Sequence, residues 1–280
     1  MTRRGAFVVV EGLDRSGKTT QTGILRQRIQ EAGKEVFCVK FPVAEVAVDR
    51  STPIGKMIDA YLRSQSDLDD HVVHLLFSAN RWELALVLYS RINHTSDFDD
   101  RTISDCFIAW FNLQHALIHV TTRLISSTII SSLEQGKIVL CDRYAFSGIA
   151  FSVAKSLPSQ SSPSTTSQTP GKLPPISLHW ARAPDAALPS PDLTLFLDVS
   201  PEIALTRGGY GEERYEKADM QKRVRSVFQE IGGEVTADAG QGKWIVVDAG
   251  KEMSAVTEEM WGHVQTLLDG INGSIGRLWD

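Results

Sequence analysis

Gly12-Leu-Asp-Arg-Ser-Gly-Lys-Thr19 is the stretch that decides the fold, because its spacing matches the phosphate-binding loop G-x-x-x-x-G-K-[ST]. The apolar run before Glu11 predicts a buried strand, and the pattern that begins at Lys18 predicts an amphipathic helix. In such a loop the glycines let successive backbone N–H groups face one concavity, where they and the helix dipole bind phosphate oxygens. The alternative is an ordinary glycine-rich turn, but the flanking strand and helix favour a P-loop that binds a nucleoside triphosphate.

Five short apolar runs predict buried strands. They are rich in β-branched residues and do not alternate with polar ones, which is typical of parallel strands covered on both faces. Helical patterns separate them, at Lys18–Glu31, Ile54–Arg63, Asp70–Leu86, Asp219–Ile231 and Met253–Leu268. This order predicts an α/β protein with the three-layer P-loop NTPase fold, a five-stranded parallel sheet with helices on both faces. The predicted strands are Ala6–Val10, Glu35–Lys40, Lys137–Cys141, Leu193–Leu197 and Trp244–Val247.

The composition is ordinary for a globular protein with a substantial core. The chain has 280 residues, of which 42% are hydrophobic and 22% are charged, and its formal net charge is −5. Length alone fits one large domain or two small ones, and the motif order leads us to expect one P-loop kinase domain over residues 1–280. The sequence has no basic stripe with interleaved aromatic residues, so we expect no nucleic-acid partner.

Cysteine use and hydropathy predict an intracellular protein. Cys38, Cys106 and Cys141 are scattered, which matches neither a disulfide framework nor a metal-ligand spacing. The apolar run near the N-terminus is too short for the core of a signal peptide, and no stretch approaches the length of a membrane span. We therefore expect no membrane association and a location in the cytoplasm, with the nucleus as an alternative.

A second motif, Ile138-Val-Leu-Cys-Asp142-Arg143-Tyr144, indicates chemistry beside the P-loop. A strand that ends in Asp142 places a carboxylate at the carboxyl edge of the sheet, where it can hold Mg²⁺ together with the Thr19 hydroxyl. Arg143 can pair with a phosphate, and Lys18 can reach the β- and γ-phosphates. A solvated turn is the alternative explanation for Asp-Arg after a strand, but the P-loop favours a functional one.

Taken together, these segments resemble the thymidylate kinase family of nucleoside monophosphate kinases. The resemblance covers most of the chain and is far more specific than the P-loop alone. It rests on GLDRSGKTTQ at 12–21, Phe41-Pro42, DRST at 49–52, HLLFSANRWE at 74–83, DRYAFSGIAF at 142–151 and PDLTLFLDVSPEIALTRGGYGEERYE at 191–216.

The resemblance implies ATP as phosphoryl donor and Mg²⁺ as cofactor. Arg207 resembles the arginine that stacks on the donor adenine, although such a residue is more often a solvated charge. Arg15 looks like the arginine that one class of the family supplies from the loop to the transferring phosphate. The implied catalytic residues are Lys18, Arg15, Asp14 and Arg143, and the implied metal ligands are Thr19 and Asp142. The implied ATP-binding residues are Gly12, Ser16, Gly17, Lys18, Thr19, Thr20 and Arg207.

For the acceptor, the resemblance implies dTMP. Phe77 would stack on the thymine ring, and Arg81, at i+4 on the same helix face, would donate to a thymine carbonyl. Ser147 and Gly148 would allow the base to approach closely, and Phe151 would limit the 2′ side of the sugar. Spacing alone would instead favour Phe77 as a core residue and Arg81 as a solvated charge.

The sugar and phosphate of dTMP would contact a second group of residues. Asp14 resembles the carboxylate that accepts the 3′-hydroxyl, and Tyr215 resembles a tyrosine near the sugar. Phe41 would line the sugar pocket. Arg50 and Arg143 would hold the 5′-phosphate. Asp14 could instead stabilise its loop, and Arg50 could cap a helix.

The sequence departs from the family pattern in three places. Residues 43–48 look extra, and so does the whole stretch 86–126. The segment 86–126 is either a genuine surface insertion or an intervening sequence read in frame, and we slightly favour the second. The third is the family's lid, which would lie at 155–184 and here contains a Ser/Pro/Thr-rich stretch at 156–175 that should form a mobile loop.

The predicted activity is transfer of the ATP γ-phosphoryl group to dTMP, giving dTDP for dTTP synthesis. One alternative is a monophosphate kinase with a different base specificity. Another is a non-catalytic P-loop nucleotide-binding protein, if the segment 86–126 disrupts the site. The resemblance also implies a homodimer.

Overall fold

The computed structural model describes residues 3–41, 53–63, 65, 67–79, 129–157, 173–207, 218–238 and 242–279. Some sequence-based expectations concern residues outside these ranges. They are the extra residues at 43–48, the segment 86–126, residues 158–172 of the lid, and the site residues Arg50, Arg81 and Tyr215.

The described strands form one parallel sheet in the order β2-β3-β1-β4-β5. This confirms the predicted fold class. Because β1 is the central strand, the loop that follows it lies at the middle of the carboxyl edge of the sheet, where α/β proteins bind ligands. The strands are β1 (Phe7–Gly12), β2 (Val36–Lys40), β3 (Ile138–Asp142), β4 (Leu193–Asp198) and β5 (Lys243–Asp248).

The prediction that all five strands are buried on both faces is wrong for the two outer ones. β1 and β3 are fully buried, whereas β2 is half-buried along its length and Val246 of β5 is 57% exposed. In the described sheet, β2 and β5 each pair with one neighbouring strand. An apolar run in the sequence therefore indicated a strand but did not reveal its place in the sheet.

Helices accompany the strands along the chain. Some lie where the sequence predicts them, and α1 has the predicted bounds. They are α1 (Lys18–Glu31), α2 (Pro53–Leu62), α3 (described at 70–79), α4 (described at 129–134), α5 (Ala145–Ser156), α6 (Leu178–Arg182), α7 (Pro201–Thr206), α8 (Ala218–Ala237) and α9 (Met253–Val264), with short 3-10 turns at Ala183–Asp185 and Gln265–Leu267.

Two pairs of helices cover the sheet. α1 packs on β1, β2 and β3 and against α9, while α5 packs on β1 and against α8. The apolar side chains of these helices and of the inner strands form one continuous core. None of the helices in the described ranges is long and apolar enough to cross a membrane.

Helix α8 extends beyond its predicted end at Ile231 and continues to Ala237. The helix continues through Gly232 and Gly233, although glycine is a poor helix former. In the structure, a Cβ at Gly232 would lie 2.6 Å from Nε1 of Trp244, so only glycine lets the helix approach β5 this closely. Tertiary packing therefore explains why residue 232 is a glycine, and the periodicity of the sequence does not.

Candidate active site

The P-loop joins the end of β1 to the beginning of α1. A Cβ at Gly12 would lie 2.5 Å from the carbonyl oxygen of Leu197, so only glycine fits there. Gly17 has a φ of 89° and precedes α1 without a side-chain cap. In such a helix the N–H groups of Lys18, Thr19 and Thr20 point out of the first turn. This arrangement suits the binding of phosphate oxygens.

The ammonium group of Lys18 lies against the loop itself. Its Nζ donates to the carbonyl oxygens of Gly12 at 3.1 Å and Leu13 at 2.6 Å, and it lies 3.4 Å from the Ser16 hydroxyl. Burial and the charge of Arg143 together lower the pKa of Lys18 to about 7, against the opposing effect of nearby carboxylates. A polyphosphate in the loop would give this lysine a strong anionic partner.

At the end of β3, Asp142 faces the first turn of α1. The Thr19 hydroxyl donates to Oδ2 of Asp142 at 2.8 Å, and Nζ of Lys40 lies 4.0 Å from the same oxygen. Asp142 is only 3% exposed. The two predicted metal ligands are thus neighbours, and a hydroxyl with a carboxylate forms the oxygen donor set that Mg²⁺ prefers.

Asp14 and Arg143 form an ion pair between the P-loop and the segment after β3. Nη2 of Arg143 donates to Oδ1 of Asp14 at 2.6 Å. Burial alone would raise the pKa of Asp14, but the charges of Arg143 and Lys18 hold that pKa below its ordinary value. Arg143 also lies over the Phe151 ring at 5.6 Å and 3.5 Å from the Ser147 hydroxyl.

Both loop arginines have an unusual backbone conformation. Arg15 has a φ of 62° and Arg143 has a φ of 66°, in the left-handed region that non-glycine residues rarely adopt. Residues in this region each cost about 1–3 kcal/mol and are concentrated at functional sites. Of the three arginines predicted from the sequence to contact phosphate, Arg15 and Arg143 are thus held in this region, as are Ala187 and Trp279 elsewhere in the fold.

Arg207 connects the P-loop with the loop after β5. Its guanidinium group donates to the carbonyl oxygen of Arg15 at 2.7 Å and to that of Ala249 at 2.6 Å. Arg207 directly follows α7, whose N-cap residue Ser200 accepts a hydrogen bond from the N–H of Ile203 through its hydroxyl. The predicted adenine-binding arginine thus lies at the P-loop, on the β4–β5 side of the sheet.

Phe41 and Phe77 are described residues that we expect to contact the acceptor. Phe41 is 4% exposed and packs against Tyr144, and Phe77 on α3 packs on the core cluster. The His74 ring forms a 2.9 Å hydrogen bond with Ser152, which fixes α3 against α5. The structure thus docks the helix of Phe77 onto the helix that carries Ser147, Gly148 and Phe151.

Sequence reasoning missed Glu11, whose side chain caps α5. Its Oε1 accepts from the backbone N–H of Tyr144 at 2.8 Å and of Ser147 at 3.0 Å, and its Oε2 accepts from the Ser147 hydroxyl. Burial raises the pKa of Glu11, while these hydrogen bonds oppose the rise. The only sequence signal was a charged residue at the end of an apolar run, and its partners are more than 130 residues away.

Gln221 was also missed. This residue of α8 is 3% exposed and contacts Asp14 through both ends of its amide. A single glutamine in a helical pattern carries no distinctive signal, so it could not have been selected from the sequence.

Comparison with known proteins supports the resemblance. The family model described as thymidylate kinase matches residues 10–108 and 168–260. The thymidylate kinase of Schizosaccharomyces pombe is 36% identical over 96% of this chain and 94% of its own length. That of Danio rerio is 34% identical over 99% of this chain and 98% of its own length.

This chain belongs to the thymidylate kinase family.

A solved structure gives the same assignment for the fold. The thymidylate kinase from Candida albicans aligns with a TM-score of 0.68 and 34% identity over 99% of both chains. That structure is described as revealing the origin of broad substrate specificity and a novel structural element. Membership of the thymidylate kinase family confirms the expectation from the sequence, and it makes the chain a phosphotransferase of the P-loop class.

Proposed function

We propose that this chain transfers the γ-phosphoryl group of Mg-ATP to the 5′-phosphate of dTMP. The observation that carries the proposal is the 2.6 Å ion pair between Arg143 and Asp14 at the P-loop. A protein that only binds a triphosphate would not need an arginine–carboxylate pair beside the loop. A kinase with an anionic, hydroxylated acceptor has a use for both groups, and family membership supports dTMP as that acceptor.

The donor would lie along the P-loop. Its phosphates would contact Ser16, Gly17, Lys18, Thr19 and Thr20, and its adenine would stack on Arg207. The Arg207 bonds to the carbonyl oxygens of Arg15 and Ala249 support this arrangement.

Thr19 and Asp142 would hold Mg²⁺, because their oxygens are adjacent and of the right chemical type. The bound Mg²⁺ would supply positive charge to the phosphates of the donor. We infer this site from the residues themselves and from the resemblance to the family.

The acceptor would bind between the P-loop, α3 and α5. We propose that Asp14 accepts the 3′-hydroxyl of dTMP and that Arg143 holds its 5′-phosphate. Phe77 would stack on the base, and Phe41 and Phe151 would enclose the sugar. By resemblance, Arg50, Arg81, Ser147, Gly148 and Tyr215 complete this set.

The chemistry needs positioning and charge stabilisation more than a general base. The acceptor phosphate oxygen is already a nucleophile that can attack the γ-phosphorus in line. Lys18, Arg15 and Arg143 would stabilise the charge spread over the transferring group. The lid at 155–184 would exclude water from the active site. The ends of its Ser/Pro-rich stretch lie close together, because the N–H of Ile176 donates to the Ser156 hydroxyl at 2.9 Å.

A wider acceptor range is the second candidate function. The description of the Candida albicans relative names broad substrate specificity, and this chain is 34% identical to it over nearly its full length. The base choice would then depend on the surroundings of Phe77 and Arg81.

Assembly and location are further proposals. We propose a single domain over residues 1–280 that contains the segment 86–126, a homodimer, and a location in the cytoplasm or nucleus. We infer the homodimer from the resemblance to the family. Light scattering of the purified chain tests the dimer.

The test of the function is a coupled ADP-release assay with Mg-ATP and dTMP, dUMP, AMP or CMP. We expect a preference for dTMP, its loss in Lys18→Ala and its weakening in Arg81→Ala. Comparable rates with several acceptors would support the wider range. If no acceptor is used, a deletion variant that lacks 86–126 decides between the alternatives. Restored activity would assign the loss to that segment, and continued inactivity would favour a non-catalytic nucleotide-binding protein.

A further inference from the structure

Gln221 joins helix α8 to the P-loop through a two-point contact with Asp14. Its Oε1 accepts from the backbone N–H of Asp14 at 3.2 Å, and its Nε2 donates to Oδ2 of Asp14 at 2.9 Å. With 3% exposure, the side chain makes these bonds away from water, where they are strongest. The amide therefore fixes both the backbone and the carboxylate of one loop residue.

This contact settles the orientation of the Asp14 carboxylate. Oδ1 accepts from Arg143 at 2.6 Å, while Oδ2 accepts from Gln221 at 2.9 Å. With both oxygens held from different elements, the carboxyl plane cannot rotate freely. Each carboxylate oxygen can accept more than one hydrogen bond, so capacity remains for a hydroxyl group of a ligand.

We propose that Gln221 is a positioning residue that orients Asp14 toward the 3′-hydroxyl of the acceptor and so sets the preference for a 3′-hydroxylated sugar. The inference rests on the proposed function, in which Asp14 contacts that hydroxyl. Gln221 does not touch the reacting atoms. It acts through Asp14, and its amide suits the task because it combines a donor and an acceptor at every physiological pH.

A carboxylate at this position would act differently. Ionised glutamate would place a second negative charge beside Asp14 and could not donate to Oδ2. Protonated glutamic acid offers the same donor and acceptor pair as glutamine. Burial at this position and the charge of Asp14 would raise the pKa of such a glutamate, whereas Arg143 and Lys18, the other charged groups that act on Asp14 among the described residues, would lower it.

The first experiment compares two substrates in two variants. We measure kcat/KM of wild type, Gln221→Ala and Glu234→Gln with dTMP and with its 3′-deoxy analogue. In Gln221→Ala we expect a loss of about ten- to a hundredfold for dTMP, because a hydrogen bond to a charged group is lost, and a much smaller loss for the analogue. Glu234→Gln, which removes the negative charge that α8 places beside Arg182, should leave both values near wild type.

The second experiment uses Gln221→Glu and the ratio of its kcat/KM to that of wild type between pH 8 and pH 6. We expect this ratio for dTMP to rise about tenfold as pH falls, because protonation restores the donor to Oδ2. Dividing by the wild-type value removes the titration of the substrate. This readout needs a folded variant only, and thermal unfolding verifies that.

The outcomes separate the inference from the function on which it depends. The positioning role of Gln221 would be overturned if Gln221→Ala lowered kcat/KM equally for dTMP and its 3′-deoxy analogue. It would also be overturned if the kcat/KM ratio of Gln221→Glu to wild type did not change with pH. A wild-type chain that does not use dTMP would instead overturn the proposed function, whatever the variants do. A larger loss for dTMP together with a rising pH ratio would establish the role.

Discussion

The Thr19 hydroxyl donates to the Asp142 carboxylate across 2.8 Å, so the first turn of α1 and the end of β3 meet at one point. A hydroxyl and a carboxylate that touch in this way would together offer oxygen ligands to a divalent cation. This relationship makes the proposed metal site testable through two residues that lie 123 positions apart in the chain.

We predict that Asp142→Asn raises the Mg²⁺ concentration needed for half-maximal activity by about ten- to a hundredfold. The amide keeps the shape but loses the charge that attracts the cation. The measurement is a Mg²⁺ titration at saturating ATP. Glu258→Gln, at an exposed surface carboxylate, serves as the control and should not change the titration. An unchanged midpoint in Asp142→Asn would exclude Asp142 as a metal-site residue.

We predict that ATP binding at pH 8 takes up about one proton per site. Burial lowers the pKa of Lys18 to about 7, so the free protein holds this lysine mostly neutral at pH 8. Phosphate charge raises the pKa in the complex, so the affinity falls as pH rises from 7 toward the pKa of the complex. Calorimetry in buffers of different ionisation enthalpy measures the uptake. The arginine in Lys18→Arg stays charged, so this variant should bind ATP without proton uptake. Equal uptake in both proteins would contradict the assignment of the proton to Lys18.

We predict that Glu11→Ala lowers the free energy of unfolding by about 2–4 kcal/mol, because it leaves two buried N–H groups at the start of α5 unpaired. Glu11→Gln retains an acceptor and should cost less. Urea denaturation measures both. Glu252→Ala is the matched control, since Glu252 precedes α9 without a side-chain cap bond and is exposed. A loss as large in Glu252→Ala would show that the cap is not the cause.

We predict opposite effects at two adjacent glycines of α8. Gly232→Ala should destabilise the fold by about 1–3 kcal/mol, because its Cβ would lie 2.6 Å from Trp244. At Gly233 a Cβ meets nothing within 4 Å, so Gly233→Ala should stabilise the helix by about 0.5–1 kcal/mol. Thermal unfolding of both variants provides the comparison. If both substitutions destabilised the protein, the cause would lie in the helix itself and not in the contact between residue 232 and Trp244.

Strand positions were predictable because buried parallel strands are continuous apolar runs, as in β1 and β3. Helix α5 was not predictable in the same way. Its sequence AFSGIAFSVAKS contains few long helix formers. Its N-terminus is capped by Glu11 of β1, which is 136 residues away from Ser147 in the chain. Local patterns contain no information about such a cap, because the chain must fold before the two groups meet.

The sequence by itself determined the P-loop motif and the parallel sheet around it, and it predicted Lys18, Thr19, Asp142 and Arg143 as site residues. These follow from local spacing, since a phosphate loop and a strand end are defined by neighbouring residues. Only the tertiary structure decided that Asp14 is held by Arg143 and Gln221, and that Glu11 caps α5. Those partners are 129, 207 and 133 residues apart, and hydrogen bonds over such separations exist only once the core has packed.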